Sequence, residues 1–179
     1  MRLSDKTRSK TGFITLCAVL TACALTLSFI ERLLPLQMLI PIPGIKLGLA
    51  NIVTIAALYM MDFKSAFTVV VLRCILSAFF GGGITGLAFS LTGGILSAAL
   101  MALLIRSGIF SVYGVSIAGS AAHVTGQIAA AFFIMDSVYV FAYLPILLLS
   151  SVFMGTVTGC AAAAFLKTTK SGDIFSLKG

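Results

Sequence analysis

The sequence predicts an all-α integral membrane protein: six transmembrane helices in one bundle, with both termini in the cytoplasm. Three observations carry this reading. Of 179 residues, 60% are hydrophobic and only 9% charged, whereas a soluble domain carries about 25% charged residues. The mean hydropathy is +1.16, and a spanning helix takes about 20 apolar residues, so the chain accommodates about six with short loops. The third observation is where the charge falls. With a cytoplasmic N-terminus and six crossings, Arg2, Lys6, Arg8, Lys10, Lys64, Arg106, Lys167, Lys170 and Lys178 lie inside, and only Arg32 and Lys46 outside. Basic flanks of this asymmetry orient membrane helices.

The net charge of +7 therefore sits at the ends of apolar runs. It suits contact with the headgroups of a lipid bilayer rather than nucleic acid. The chain divides into a basic cytoplasmic N-terminus (1–11), a membrane domain (12–166) and a cytoplasmic tail (167–179), in a multi-pass protein of a bacterial plasma membrane. All four cysteines (Cys17, Cys23, Cys74, Cys160) lie within apolar runs without paired metal-ligand spacing, and such cysteines behave as small hydrophobes.

Span one covers Gly12 to Ile30 and stops at Glu31-Arg32. Leu20-Thr-Ala-Cys23 resembles a lipoprotein signal, but the apolar run continues to Ile30 and exceeds a signal-peptide core. Ala18 and Ala22, four residues apart, form a strip of small side chains that lets another helix approach closely. Leu33 to Lys46 holds Pro35, Pro41, Pro43 and Gly44, which break helices; being apolar as well, this loop is expected to lie against the bundle as a cap.

Span two is Leu47 to Met61, with Asn51 about one turn inside. Span three, Ser65 to Phe80, carries Arg73 and ends at Gly81-Gly82-Gly83, which lacks the lysine of a phosphate-binding loop and reads as a hinge. Span four, Ile84 to Ile105, contains Gly86, Gly93, Gly94 and Ser97 and is expected to pack tightly. Span five, Gly114 to Met135, has the densest polar set: Ser116, Ser120, His123, Thr125 and Gln127. Span six, Val138 to Leu166, has Pro145 as a kink and Gly155-x-x-x-Gly159 as a second close-packing step.

Arg73 frames the functional question. A guanidinium at mid-helix in a bilayer costs roughly 2.5 kcal/mol on the lenient insertion scales, and no acid stands near it in the sequence. Its compensation is either backbone carbonyls freed at the glycine break or an anionic group of a ligand, a carboxylate or phosphate. His123 is either a packing residue or part of the same site, and Gln127 shares its face at i+4. Asn51 enters from the opposite end. These four candidate substrate-binding residues are expected to line one cavity in the middle to outer half of the bundle. No metal site is expected, because a lone His supplies too few ligands. No catalytic carboxylate pair, nucleophile or cofactor motif is present, so no enzyme activity is expected.

Several stretches resemble the family labelled heptaprenyl diphosphate synthase component I, also called the Gx transporter family: Pro43 to Thr54, Ser90 to Ser97, Gly114 to Gly119, His123 to Gln127 and Tyr143 to Pro145. Val124 stands where that family has Asn. The label implies prenyl diphosphate chemistry, yet the aspartate-rich motifs of those synthases are missing from this chain. More distantly the chain is similar to the substrate-binding S-components of energy-coupling factor transporters. That resemblance implies six spans, a capping first loop, and a strip at Ala18 and Ala22 that docks a membrane coupling subunit with its ATPases. The leading expectation is a substrate-capturing membrane subunit for uptake of a small anionic or vitamin-like molecule. The alternative is a noncatalytic membrane subunit associated with polyprenyl diphosphate synthesis, and a membrane anchor in a quinone-related assembly is a third.

Overall fold

The computed structural model describes residues 10–33, 46 and 48–171, and every regular element among them is helical. Helices α1 (Lys10–Leu33), α2 (Asn51–Met60), α3 (Phe63–Ser77), α4 (Gly83–Ser107), α5 (Val112–Met135) and α6 (Leu144–Ser171) follow one another in that order. A π-helical segment, Ala78–Gly82, joins α3 to α4, and a 3-10 turn, Val138–Tyr143, leads into α6. The Pro-rich segment read as a cap lies outside the described residues, apart from its ends.

Four segments are long and apolar enough to cross a membrane: Lys10–Leu33, Phe63–Ser107, Val112–Met135 and Val138–Thr168. The difference from six has two physical sources. Gly48 takes a left-handed φ of 89° and delays the start of α2, leaving 10 residues that extend only about 15 Å. The other source is the 45-residue stretch Phe63–Ser107, which folds back on itself. In a straight helix residues 73 and 94 would stand about 32 Å apart. Here the Gly94 backbone faces Val70 and Arg73, and Cys74 Sγ donates to the Ser90 carbonyl at 3.3 Å. The reversal occurs at Phe80–Gly83, where Gly81 (φ 94°) and Gly83 (φ 63°) adopt left-handed backbone that only glycine adopts cheaply. The glycines expected as a hinge are this turn, so α3 and α4 form an antiparallel hairpin.

Small residues set the close contacts. A methyl group at Gly126 would stand 2.8 Å from Gly93 Cα, and one at Gly155 would stand 2.6 Å from Ile117 Cα. The α4–α5 and α5–α6 backbones thus touch where the glycines fall, as the expected steps at Gly93 and Gly155 require. Pro145 occupies the first turn of α6 rather than a kink, and a proline there removes no helical hydrogen bond. Apolar side chains cover much of the outside, including Ile84, Phe79, Phe133 and Tyr139, each at least 80% exposed.

Three apolar clusters fill the interior among the described residues, the smallest being Val70, Cys74 and Ala98 between α3 and α4. Of the larger two, one joins Leu20, Ala24, Ile55, Met60, Val69, Met101, Val115 and Ala162; the other joins Phe89, Val124, Ile128, Ala131, Val140 and Leu147. The first lies toward the end bearing Lys10, Lys64, Arg106 and Lys167. The buried charged side chains Glu31, Lys46 and Arg73 lie toward the opposite end.

Candidate functional site

Helical spacing brings the polar groups together. On α5, Ser116, Ser120, His123 and Gln127 recur at steps of four, three and four, and all are buried. On α1, Thr21, Ala24, Ser28 and Glu31 form a like buried stripe at steps of three, four and three. Span one does not stop at Glu31: the helix runs to Leu33, and Glu31 is 2% exposed. The expectation that span one ends at Glu31-Arg32 is thereby corrected, and a buried carboxylate lies in the field of Arg73. The spacing of Glu31 from Ser28 and Ala24 is the signal that marks its inward face.

The four candidates named from the sequence occupy one buried cluster: Asn51, Arg73, His123 and Gln127 are all at most 2% exposed. Asn51 is the first residue of α2 rather than a turn inside it. Glycine backbone forms the walls between them. A methyl group at Gly48 would lie 2.9 Å from Asn51 Nδ2 and 3.3 Å from His123 Cδ2. At Gly93 it would lie 3.1 Å from His123 Cε1, and at Gly94 3.3 Å from Arg73 Nη2. Asn51 and His123 thus flank Gly48, and His123 and Arg73 flank the adjacent Gly93 and Gly94.

Two residues that sequence reasoning passed over, Lys46 and Glu31, knit this cluster. The Lys46 amide donates to Gln127 Oε1 at 3.2 Å, and its ammonium donates to Ser90 Oγ at 2.7 Å. Because Oε1 of Gln127 is taken, its Nε2 faces His123 Nε2, at 3.1 Å. An amide nitrogen donates, so this ring nitrogen accepts and the imidazole carries its proton on Nδ1. That Nδ1 turns to the Gly93 backbone without a well-aligned hydrogen bond. The Glu31 carboxylate accepts the Gly48 amide hydrogen bond and lies in the field of Lys46 and Arg73.

Arg73 is a largely unsatisfied cation. Nη1 makes one long contact to Ser28 Oγ, 3.4 Å, while Nε and Nη2 are buried without a partner. The freed carbonyls at the glycine break do not serve it. Arg32 takes them instead: Nη1 donates to Phe80 O at 2.9 Å, and Nη2 donates to the carbonyl and hydroxyl of Ser77. Asn51 likewise has both Oδ1 and Nδ2 buried and unpaired. Leaving such groups unmade costs about 1–3 kcal/mol each, more for a charged one.

Other features lie apart from this cluster. Ala18 and Ala22 are exposed, away from the buried stripe of α1. An apolar groove of about 390 Å³ runs between α1 and the π segment, lined by Leu25, Thr26, Phe29 and Phe80. It opens on the outer face and contains none of the cluster's charged groups. Among the described residues no group of three His, Cys, Asp or Glu side chains is placed to hold a metal ion.

Against known families, the model described as heptaprenyl diphosphate synthase component I matches residues 20–165. No curated protein matches the chain, and no solved structure does.

Proposed function

The chain belongs to the heptaprenyl diphosphate synthase component I family, and we propose that within it the protein acts as a noncatalytic, substrate-capturing membrane subunit for uptake of a small anionic or vitamin-like molecule. The observation that carries this reading is the set of unpaired, fully buried donors and acceptors on Arg73 and Asn51. Native interiors pair such groups, and polar residues held inside a membrane protein mark ligand pathways.

Charge placement supports six crossings with both termini in the cytoplasm. Lys10, Lys64, Arg106 and Lys167 share one end of the bundle, while at the other end Lys46 is buried and Arg32 is bound to Ser77 and Phe80. The positive-inside rule then turns the polar cluster toward the outer side of a bacterial plasma membrane, where a captured solute arrives. The exposed strip of Ala18 and Ala22 on α1 offers a close-packing face for a membrane coupling subunit with its ATPases.

A second reading is favoured by the family's own description: a noncatalytic membrane subunit beside a polyprenyl diphosphate synthase. Native mass spectrometry of the complex gently extracted from its own membrane separates the two. A retained small anion, or a coupling subunit with ATPases, supports capture. An aspartate-rich synthase with no small molecule retained sinks the capture reading and supports the second.

A further inference from the structure

The polar cluster also has a charge balance and a shape. Its ionic groups are Glu31, Lys46 and Arg73, because the Gln127 amide fixes His123 as a neutral acceptor. Glu31 accepts the Gly48 amide and sits in the field of both cations, so one positive charge is left without a counter-charge. One of the three Lys46 ammonium hydrogens goes to Ser90 at 2.7 Å. Arg73 is the cation with whole nitrogens, Nε and Nη2, that have no partner.

Those donors are a particular pair. Nε and Nη2 lie on the same edge of the guanidinium, the side-on fork that meets the two oxygens of a carboxylate in parallel hydrogen bonds. Both are buried and unpaired, while Nη1, on the far edge, is the nitrogen that touches Ser28. Continuing past His123, Asn51 presents an amide whose donor and acceptor are both unpaired, matching a ligand edge that carries one acceptor and one donor.

We infer that the site selects an organic monocarboxylate, its carboxylate on the Nε–Nη2 fork of Arg73 and an amide-like edge on Asn51, and that Glu31 is the specificity determinant that rejects ligands of higher negative charge. This rests on the capture reading and narrows it. In a poorly screened interior, one negative charge neutralises the cluster. A dicarboxylate, phosphate monoester or diphosphate leaves excess charge facing the Glu31 carboxylate.

The test uses the full chain in lipid nanodiscs. Water-soluble metabolites of the source cells, separated by anion exchange into neutral, monocarboxylate, dicarboxylate and organic phosphate fractions, are the probes, and thermal unfolding is the readout. The monocarboxylate fraction is expected to raise Tm by about 5 °C at saturation, the others by far less. In Glu31→Gln the side-chain oxygen still accepts the Gly48 amide but the charge is gone, and the preference is expected to move toward dicarboxylates by about tenfold. Arg73→Lys keeps the charge and removes the fork, and should lose the monocarboxylate response. Stabilisation of the unsubstituted protein by the dicarboxylate or phosphate fraction overturns the monocarboxylate assignment and leaves capture standing. An unaltered preference in Glu31→Gln removes Glu31 from its role. No response to any fraction defeats capture itself, and this inference with it.

Discussion

The two halves of α5 bury polar groups in opposite ways. Toward its N-terminus, Ser116 shares a 2.7 Å hydrogen bond with Thr158, and Thr158 also donates to the Gly155 carbonyl at 3.1 Å. Gly155 there presses on the Ile117 backbone and Gly119 on Met101. Toward its C-terminus, His123 and Gln127 face Lys46, Asn51 and Arg73, and several donors have no partner. Burial alone therefore does not distinguish a functional polar residue in a membrane helix. Ser116 is 1% exposed and His123 is 1% exposed, yet Ser116 is paired while His123, Asn51 and Arg73 keep buried polar atoms without a partner. The first half is a joint; the second is the surface that the capture proposal assigns to a ligand.

Substitutions sharpen this contrast most strongly in the joint. Gly155→Leu drives a side chain into the Ile117 backbone, 2.6 Å from the position its Cβ would take. It should cost about 4 kcal/mol or prevent assembly of the bundle, read as loss of a monodisperse, cooperatively melting species. Thr158→Val keeps the shape and removes the partner of Ser116, and should cost about 1.5 kcal/mol in chemical unfolding. A loss in Arg73 as large as that in Thr158 would erase the distinction between the halves.

Outside the membrane, Asp62 caps α3 by accepting from the Lys64 amide at 3.1 Å and from the Ser65 hydroxyl. Asp62→Ala should cost about 1 kcal/mol at neutral pH. The Ser65 hydrogen bond holds the Asp62 carboxyl below its ordinary value of 3.8. Its stabilisation is thus complete above that ordinary value and lost as pH falls through the depressed one. The difference between the two proteins should close in acid, and one that persists there would show that the carboxylate is not the source. The smallest effect on stability is expected at Arg73. Arg73→Met removes a buried, largely unpaired charge and should change stability by less than about 1 kcal/mol or raise it, while abolishing retention of a small anion in native mass spectra. Unchanged retention would remove Arg73 from the proposed ligand site.

The helical class and the tight glycine contacts were legible because hydropathy and small-residue spacing are local properties. The convergence of Asn51, Arg73, His123 and Gln127 was also legible, from their depth along alternating helices. Glu31 was hidden by its neighbour. Glu31-Arg32 reads as a charged stop, but successive residues on a helix point about 100° apart, and one turned inward while the other turned out. Lys46 was hidden because it follows a proline-rich stretch, where no periodicity assigns a face. The carbonyls at the glycine break went to Arg32, 45 residues from Ser77, and only tertiary packing decides which of two arginines reaches them. Length likewise misjudged α2, whose start depends on the backbone angle of Gly48.

That same pair at the end of α1 sets the helix like a key in a lock. Glu31 holds the Gly48 amide on one side, and Arg32 holds Ser77 and Phe80 on the other, its guanidinium stacked 5.2 Å over Phe29. Turning α1 about its axis breaks both attachments together, since neither side chain is free to follow alone. The azimuth of α1 is thereby quantised: the outward strip bearing Ala18 and Ala22 keeps a fixed bearing for as long as Glu31 stays seated in the cluster.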